Sequence, residues 1–326
     1  MAQSSLKTRV VGINVSYGIT SFAIVDVRGN IIARDQFNTT DYPNINEFVA
    51  HLSDSIVTFV EANGGYESIR SVGISVPSGN FVTGCIENSG NLQWKGIIPL
   101  AAMMRDRLGL SVALANNAHA RAQGEYSFGS AHGMKDFILI TLGQGFGSTF
   151  FSNGKAHLGA HGFAGEFGHT CVVKDGRPCM CGKRGCFEAY CSERGIVETA
   201  RKTLAASDEP SLMRDVPELS VETITECCDK GDRLAIETFR KTGKILGIGM
   251  ANYASVLNPE AIIFTGSVMK VGKWLLDPTE ESFEEHVFRN IKGRVKIINS
   301  TMNSEDQQIL GASVMAWDIK EYSLFK

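Results

Sequence analysis

One unit, met twice, constrains this chain more than any other feature. Residues 10–29 read as an apolar strand, a small-residue loop, a second strand and a turn, and residues 136–154 repeat that order. In the first copy the apolar runs 9–15 and 20–27 flank Ser16-Tyr17-Gly18. A third run, 31–37, follows the turn Arg28-Gly29-Asn30, which predicts an antiparallel meander. In the second copy 136–142 and 148–151 flank a glycine loop at 143–147, and Asn153-Gly154 is a strong hairpin turn. A duplicated hairpin of this kind calls for two sheets with a core each. With 326 residues, 43% of them hydrophobic, the chain can fill both.

Between and after the hairpins the apolar spacing changes to a helical period. Residues 46–62, 100–108 and 117–126 read as helices, the last with Asn116 or Asn117 at its cap, while 71–76 and 111–115 read as strands. Further on, 188–204, 221–229, 233–256 and 304–319 read as helices. The stretch 261–265 reads as a strand leading to Gly266, and 294–298 as extended. The expected fold is α/β: two similar lobes facing a cleft, with ligands held where loops leave the strand ends. The lobes are expected to comprise 1–115 plus 304–326, and 116–303.

Several function classes fall away on composition. No stretch approaches the roughly 20 apolar residues of a membrane helix. The polar start, 1–9, does not read as a signal peptide, so a cytoplasmic protein is expected. Lys and Arg number 32 against 35 Asp and Glu, and no basic run exceeds three residues, so no nucleic-acid footprint is visible.

The sharpest chemical signal is His169, Cys179, Cys181 and Cys186, spaced H-x9-C-x-C-x4-C. Three thiolates and an imidazole make a closed tetrahedral set for zinc, and Pro178, Gly182 and Gly185 let a short chain fold back on the ion. The absence of an open ligand position makes this a structural metal. The segment Gly143-Gln144-Gly145-Phe146-Gly147-Ser148 can bring backbone N–H groups close to an anion. It equally suits a tight hairpin, and it is not a dinucleotide fingerprint, because a strand follows it. Asn116, Asn117, Glu166 and Glu188 border glycine-rich turns and could hydrogen-bond a polyol. Helix capping for the asparagines, and a first-turn carboxylate for Glu188, are the plainer readings.

The segments Glu166-Phe167-Gly168-His169 and Cys179-Met180-Cys181-Gly182-Lys183-Arg184-Gly185-Cys186-Phe187-Glu188 resemble the signature of the ROK family of repressors, open reading frames and sugar kinases. Residues 141–147 resemble its second phosphate loop, Asn91-Leu92-Gln93-Trp94 its sugar-contacting segment, and Gly266 its adenosine-side glycines. The resemblance implies a duplicated actin-like, ribonuclease-H-like sugar-kinase fold. It implies hexose or N-acetylhexosamine contacts at Gly79, Asn91, Asn116, Asn117, Glu166, His169 and Glu188, and zinc at His169, Cys179, Cys181 and Cys186. Nucleotide contacts would fall at Asn14, Gly18, Gly143, Gly145, Gly147 and Gly266, and a homo-oligomer is implied.

Three departures from the family pattern bear on function. Asn116-Asn117 stands where the family's kinases carry Asn-Asp, so Asn117 occupies the catalytic-base position. Asn14-Val15-Ser16-Tyr17-Gly18 stands where they carry Asp-x-Gly-Gly-Thr. Gln144 and Ser148-Thr149 replace residues of the second loop. An amide cannot take a proton from a sugar hydroxyl, and losing a general base costs about 10²–10⁴-fold in rate. The first-loop aspartate supports magnesium, on which phosphoryl transfer depends. The expected function is a sugar-binding, glucokinase-like sensor or regulator with weak or lost transfer from ATP. The alternative is an active ATP-dependent hexose or N-acetylhexosamine kinase. With fewer than ten residues before the first strand, a direct DNA-binding repressor is not expected.

Overall fold

The structure is a computed structural model that describes residues 7–319. Most of the polar start, and residues 320–326 of the expected first lobe, lie outside the described residues. The chain divides into two compact units, one of Met1–Gly133, Leu158–Ala164 and Thr301–Lys326, the other of Met134–His157 and Gly165–Ser300.

In the first unit, β1 (Arg9–Val15), β2 (Ile19–Asp26) and β3 (Ile31–Asn38) form the expected meander. With β4 (Ile69–Ser75) and β8 (Ser111–Ala115) they make a five-stranded sheet of order β3-β2-β1-β4-β8, in which β1, β4 and β8 run parallel. A three-stranded sheet of β5 (Gly79–Asn80), β6 (Cys85–Glu87) and β7 (Ile97–Ile98) follows β4. Val11, Ile13 and Val15 pack on one face of the large sheet with α1 (Ile45–Ala62) and α2 (Leu100–Leu108). Val10, Ala23 and Val25 meet α9 (Ser304–Trp317) on the other face. Burial on both faces is why β1 reads as one apolar run rather than an alternation. The helix α3 (Asn117–Phe128) lies against α9 in this unit, although the boundary expected at 115 assigns it to the other lobe. Close approach sets the packing here: a Cβ on Gly73 would lie 2.6 Å from the Ala312 carbonyl carbon, so α9 rests directly on the β4 backbone.

The second unit repeats the plan. Its strands are β9 (Phe137–Leu142), β10 (Phe146–Ser152), β11 (Lys155–Ala156), β12 (Ala261–Thr265) and β13 (Lys296–Asn299), in the order β11-β10-β9-β12-β13. Again a hairpin meander is extended by two parallel strands. Asn153 and Gly154 both have positive φ, 53° and 75°, as a tight hairpin turn requires. The helices are α4 (Glu188–Cys191), α5 (Glu193–Ala205), α6 (Val221–Asp229), α7 (Arg233–Leu257) and α8 (Lys273–His286).

Two differences from expectation have local causes. The helix expected over 188–204 is broken at Ser192, whose ψ of 165° ends α4. Its hydroxyl accepts the Gly195 N–H to start α5. The helix α8 is hidden in the sequence by Pro278, which reads as a breaker. The proline ring instead packs on α7, where only Gly243 leaves room for it. No helix among the described residues is long and apolar enough to cross a membrane.

Candidate functional site

The second unit brings His169, Cys179, Cys181 and Cys186 together, with one donor atom from each lying within 4.8 Å of all the others. Residues 178–184 form a hairpin, with Pro178 bridged to Arg184 and Gly182 in the left-handed region at φ 86°. A second bridge, Cys171 to Cys186, closes the base. The Cys181 and Cys186 sulfurs are 3.6 Å apart, and the Cys179 sulfur is 3.8 Å from His169 Nδ1. A tetrahedron with Zn–S bonds of about 2.3 Å has edges of about 3.8 Å, so the donors fit zinc. Burial pushes the Cys186 thiol up to about 12, so a cation is what would favour its thiolate here. Zinc would crosslink the hairpin and, through Nδ1, set the orientation of the His169 ring, leaving Nε2 for another partner.

Glu166 and His169 flank a single 3-10 turn, Phe167–His169. The Phe167 ring stacks on Tyr253 with centroids 3.8 Å apart, and its N–H donates to the Ser148 hydroxyl at 3.1 Å. Gly168 is needed because a Cβ there would lie 2.6 Å from the Phe146 carbonyl oxygen. The Glu166 carboxyl is raised by desolvation; His169 opposes the rise and Glu188 adds to it. Glu188 begins α4, and its Oε2 accepts the Phe146 N–H at 3.1 Å. It is therefore a brace for the glycine loop, a role its position as a first-turn carboxylate did not suggest.

That loop is short and partly spent. Gly143 N–H donates to the Gly145 carbonyl at 3.1 Å, and the Gly143 carbonyl accepts the Glu193 N–H at 2.8 Å. Strand β10 already starts at Phe146, so Gly147 belongs to the ladder, paired with Thr141. The N–H groups of Gln144 and Gly145 make no hydrogen bond among the described residues and are the ones left for an anion. Gly266, at φ 103°, ends β12. Beyond it, the Ser267 hydroxyl donates to Glu193 Oε1 at 2.5 Å, and both residues line a cavity of about 540 Å³ with Val197 and Lys270.

In the first unit, Asn116 is the cap of α3: its Oδ1 accepts the His119 N–H at 2.7 Å. Asn117 Oδ1 accepts from the Ser75 hydroxyl at 3.0 Å, at the end of β4. Gly79 has no space for a side chain, because a Cβ would lie 2.6 Å from the Ala115 carbonyl oxygen, and Asn91 is exposed. Asn14 is the last residue but one of β1; with the Gln308 amide turned to the orientation its neighbours require, its nitrogen faces the Asn14 side chain and its oxygen accepts from Arg121 Nη2 at 2.5 Å and Nε at 3.1 Å. Arg121 Nη1 donates in turn to Gln307 Oε1 at 2.9 Å. Burial lowers Arg121 to about 10, so it stays charged at neutral pH. Gly18 has open space where a side chain would begin, and Tyr17 points to solvent, 59% exposed.

Sequence reasoning missed Ser75, Arg121, Gln307 and Gln308. The two glutamines lie far from Asn14 in the chain, on α9. His119, two positions beyond Asn117 and for that spacing not expected to replace it as a base, is buried; desolvation lowers its pKa to about 4, and its Nε2 is 3.2 Å from Gln123 Nε2.

Comparison with known proteins bears on these features together. The ROK family pattern matches residues 10–319. The chain is 28% identical over 320 residues to a glucokinase of Halalkalibacterium halodurans, covering 95% of this chain and 94% of that one. A ROK family glucokinase from Streptomyces griseus, solved with glucose and AMPPNP, superposes with a TM-score of 0.76 at 29% identity, over 95% of this chain and 99% of that one. A ROK family transcriptional regulator, a homologue of the E. coli MLC protein, superposes with a TM-score of 0.84 at 25% identity, over 95% of this chain and 78% of that one. With two five-stranded sheets of one strand order and a cluster of one histidine and three cysteines, the chain is a member of the ROK family, with its two-lobe actin-like fold.

Proposed function

We propose that this chain binds a hexose or N-acetylhexosamine, and that it is a glucokinase-like protein whose phosphoryl transfer from ATP is slow. Sugar contacts would come from Asn91, Asn116 and Asn117 beside Gly79, and from Glu166, His169 and Glu188. The nucleotide would take Gly143, Gly145 and Gly147 with the cavity beside Gly266, and Gly18 at the other hairpin. The observation that carries the reading is the Asn117 amide, whose oxygen already accepts from Ser75. An amide nitrogen cannot accept a proton, so no base stands at this position. Asn14 fits magnesium poorly. A neutral amide brings no negative charge to the cation, and its side chain faces the Gln308 amide.

A second reading, an ATP-dependent hexose kinase of ordinary rate, is favoured by the end-to-end likeness to the H. halodurans glucokinase, and that likeness supports full activity better than its loss. Purified protein is assayed with ATP, magnesium and a panel of hexoses, alongside sugar-dependent thermal stabilisation. Stabilisation with turnover far below the 1–100 s⁻¹ usual for kinases supports the first reading. Turnover within that range establishes the second, and neither stabilisation nor turnover overturns both. The likeness to a transcriptional regulator extends the first reading to a sugar sensor. A homo-oligomer is proposed with it, testable by light scattering.

A further inference from the structure

Behind the hairpin of the cysteine cluster lies a second cavity, distinct from the one beside Gly266 although Arg194 and Arg201 line both. It has a volume of about 790 Å³ and lies between residues 175–184 and helix α5, within the second unit. Five cationic side chains line it, Arg177, Arg184, Arg194, Arg201 and Lys202, against two acids, Asp175 and Glu198. The chain as a whole carries a net charge of −3, so the concentration of positive charge is local.

Arg177 is built into the wall. Its backbone N–H donates to the Tyr190 hydroxyl at 2.9 Å, and its Nη1 donates to the carbonyls of Gly195 at 2.8 Å and Ala189 at 3.2 Å. The guanidinium sits 4.6 Å from the centre of the Tyr190 ring. With Nη1 anchored, Nε and Nη2 make no hydrogen bond among the described residues. Arg184, Arg194 and Arg201 have neither ion pair nor hydrogen bond there, and Lys202 is shared with Glu198 at 3.6 Å. A concave wall of unspent guanidinium forks suits an oxyanion that accepts several hydrogen bonds, for which phosphate is the best match. The volume is that of a small-molecule site rather than of a bare ion. Pro178, Met180 and Ala189 supply apolar surface for the rest of such a ligand.

We propose that this cavity is a second ligand site, which takes a sugar-sized molecule bearing a phosphate monoester. It lies next to the first site along the chain. Cys179, a zinc ligand, lines the cavity, and so do Ala189 and Tyr190, which follow Glu188 in α4. The proposal does not depend on hexose binding, since phosphate recognition is read separately.

The test is calorimetric titration of the full-length, zinc-loaded protein with a hexose 6-phosphate, with inorganic phosphate and with the unphosphorylated hexose. The hexose phosphate titration is repeated in saturating hexose and AMPPNP, so that occupancy of the sugar site as a product and of the cavity beside Gly266 is excluded. The expected result is that the hexose phosphate still binds, more tightly than inorganic phosphate. The exposed double variant Arg184→Ser/Lys202→Ser weakens it roughly tenfold while leaving zinc content and hexose response unchanged. Arg177→Lys, which keeps a charge but loses the fork, weakens it as well. Displacement by free hexose, affinity untouched by the double variant, equal affinity for inorganic phosphate, or no phosphate-dependent heat at all overturns the proposal.

Discussion

The hairpin loops at 14–18 and 143–147 sit at the same place in two sheets of the same strand order, and they differ in the side chains that hold them. The first is tied by Ser16, whose N–H and hydroxyl both donate to the Ile19 carbonyl, at 3.1 and 2.7 Å, and its Tyr17 and Gly18 N–H groups make no hydrogen bond among the described residues. The second likewise keeps the Gln144 and Gly145 N–H groups unspent, but here a carboxylate, Glu188, braces the turn through the Phe146 N–H. A duplicated topology thus decides where a loop leaves its sheet, and side chains decide what stands around it. In this chain the second unit carries Glu166, His169, Glu188 and the cluster of one histidine and three cysteines. The first carries the amides Asn14 and Asn117, which the proposed function places where a kinase needs acids.

Restoring acids to the first unit is the strongest way to break that contrast. Asn117→Asp combined with Asn14→Asp is expected to raise phosphoryl transfer by about 10²–10⁴-fold in a coupled ATP assay, the range assigned to a general base. An unchanged rate would show that the difference between the loops lies elsewhere. On the other side, Cys186→Ser is expected to lose bound zinc by mass spectrometry. It should also lower Tm by about 6–12 °C, because removal of a structural metal ligand belongs with the changes worth about 3 kcal/mol or more. A Tm within a degree of the parent would mean that the hairpin stands without metal.

His119 sharpens the contrast through pH. Its pKa is about 4 when folded and 6.5 in the ordinary state. As pH falls through 6.5 the unfolded chain takes up the proton first, so stability is full above 6.5 and is lost progressively down to 4. Urea unfolding at about pH 7 and about pH 4.5 should differ by at most about 3 kcal/mol from this residue, and His119→Gln should flatten the difference. The smallest expected effect is in the second unit. Glu188→Gln should weaken hexose binding roughly tenfold, read by calorimetry, with zinc content unchanged.

Much of the scaffold was legible because it rests on local patterns. The repeated hairpin, the strand Ala261–Thr265 and the helices Leu100–Leu108 and Val221–Asp229 follow from apolar periodicity and turn residues alone. The metal cluster was legible because its three cysteines lie within eight residues, so that chain proximity stands in for spatial proximity. The helix Lys273–His286 was not, since Pro278 is tolerated only through its fit against Gly243, a contact between distant segments. The partners of Asn14 were hidden for the same reason: nothing near residue 14 points to Gln308 or Arg121. For Asn116, where capping and sugar contact were both open, the structure shows the cap, and a cap oxygen facing His119 N–H leaves the amide nitrogen for a ligand.

The break at Ser192 has a last consequence. It leaves Glu188–Cys191 as a lone turn of helix, tied at its start by the Phe187 N–H to the Thr170 carbonyl and at its end by the Ser192 hydroxyl to the Glu188 carbonyl. Four residues so tethered cannot slide or tilt to absorb a replacement. This stretch should therefore tolerate fewer exchanges than the long α7 rod behind it, and a saturation library would record it as a narrow trough.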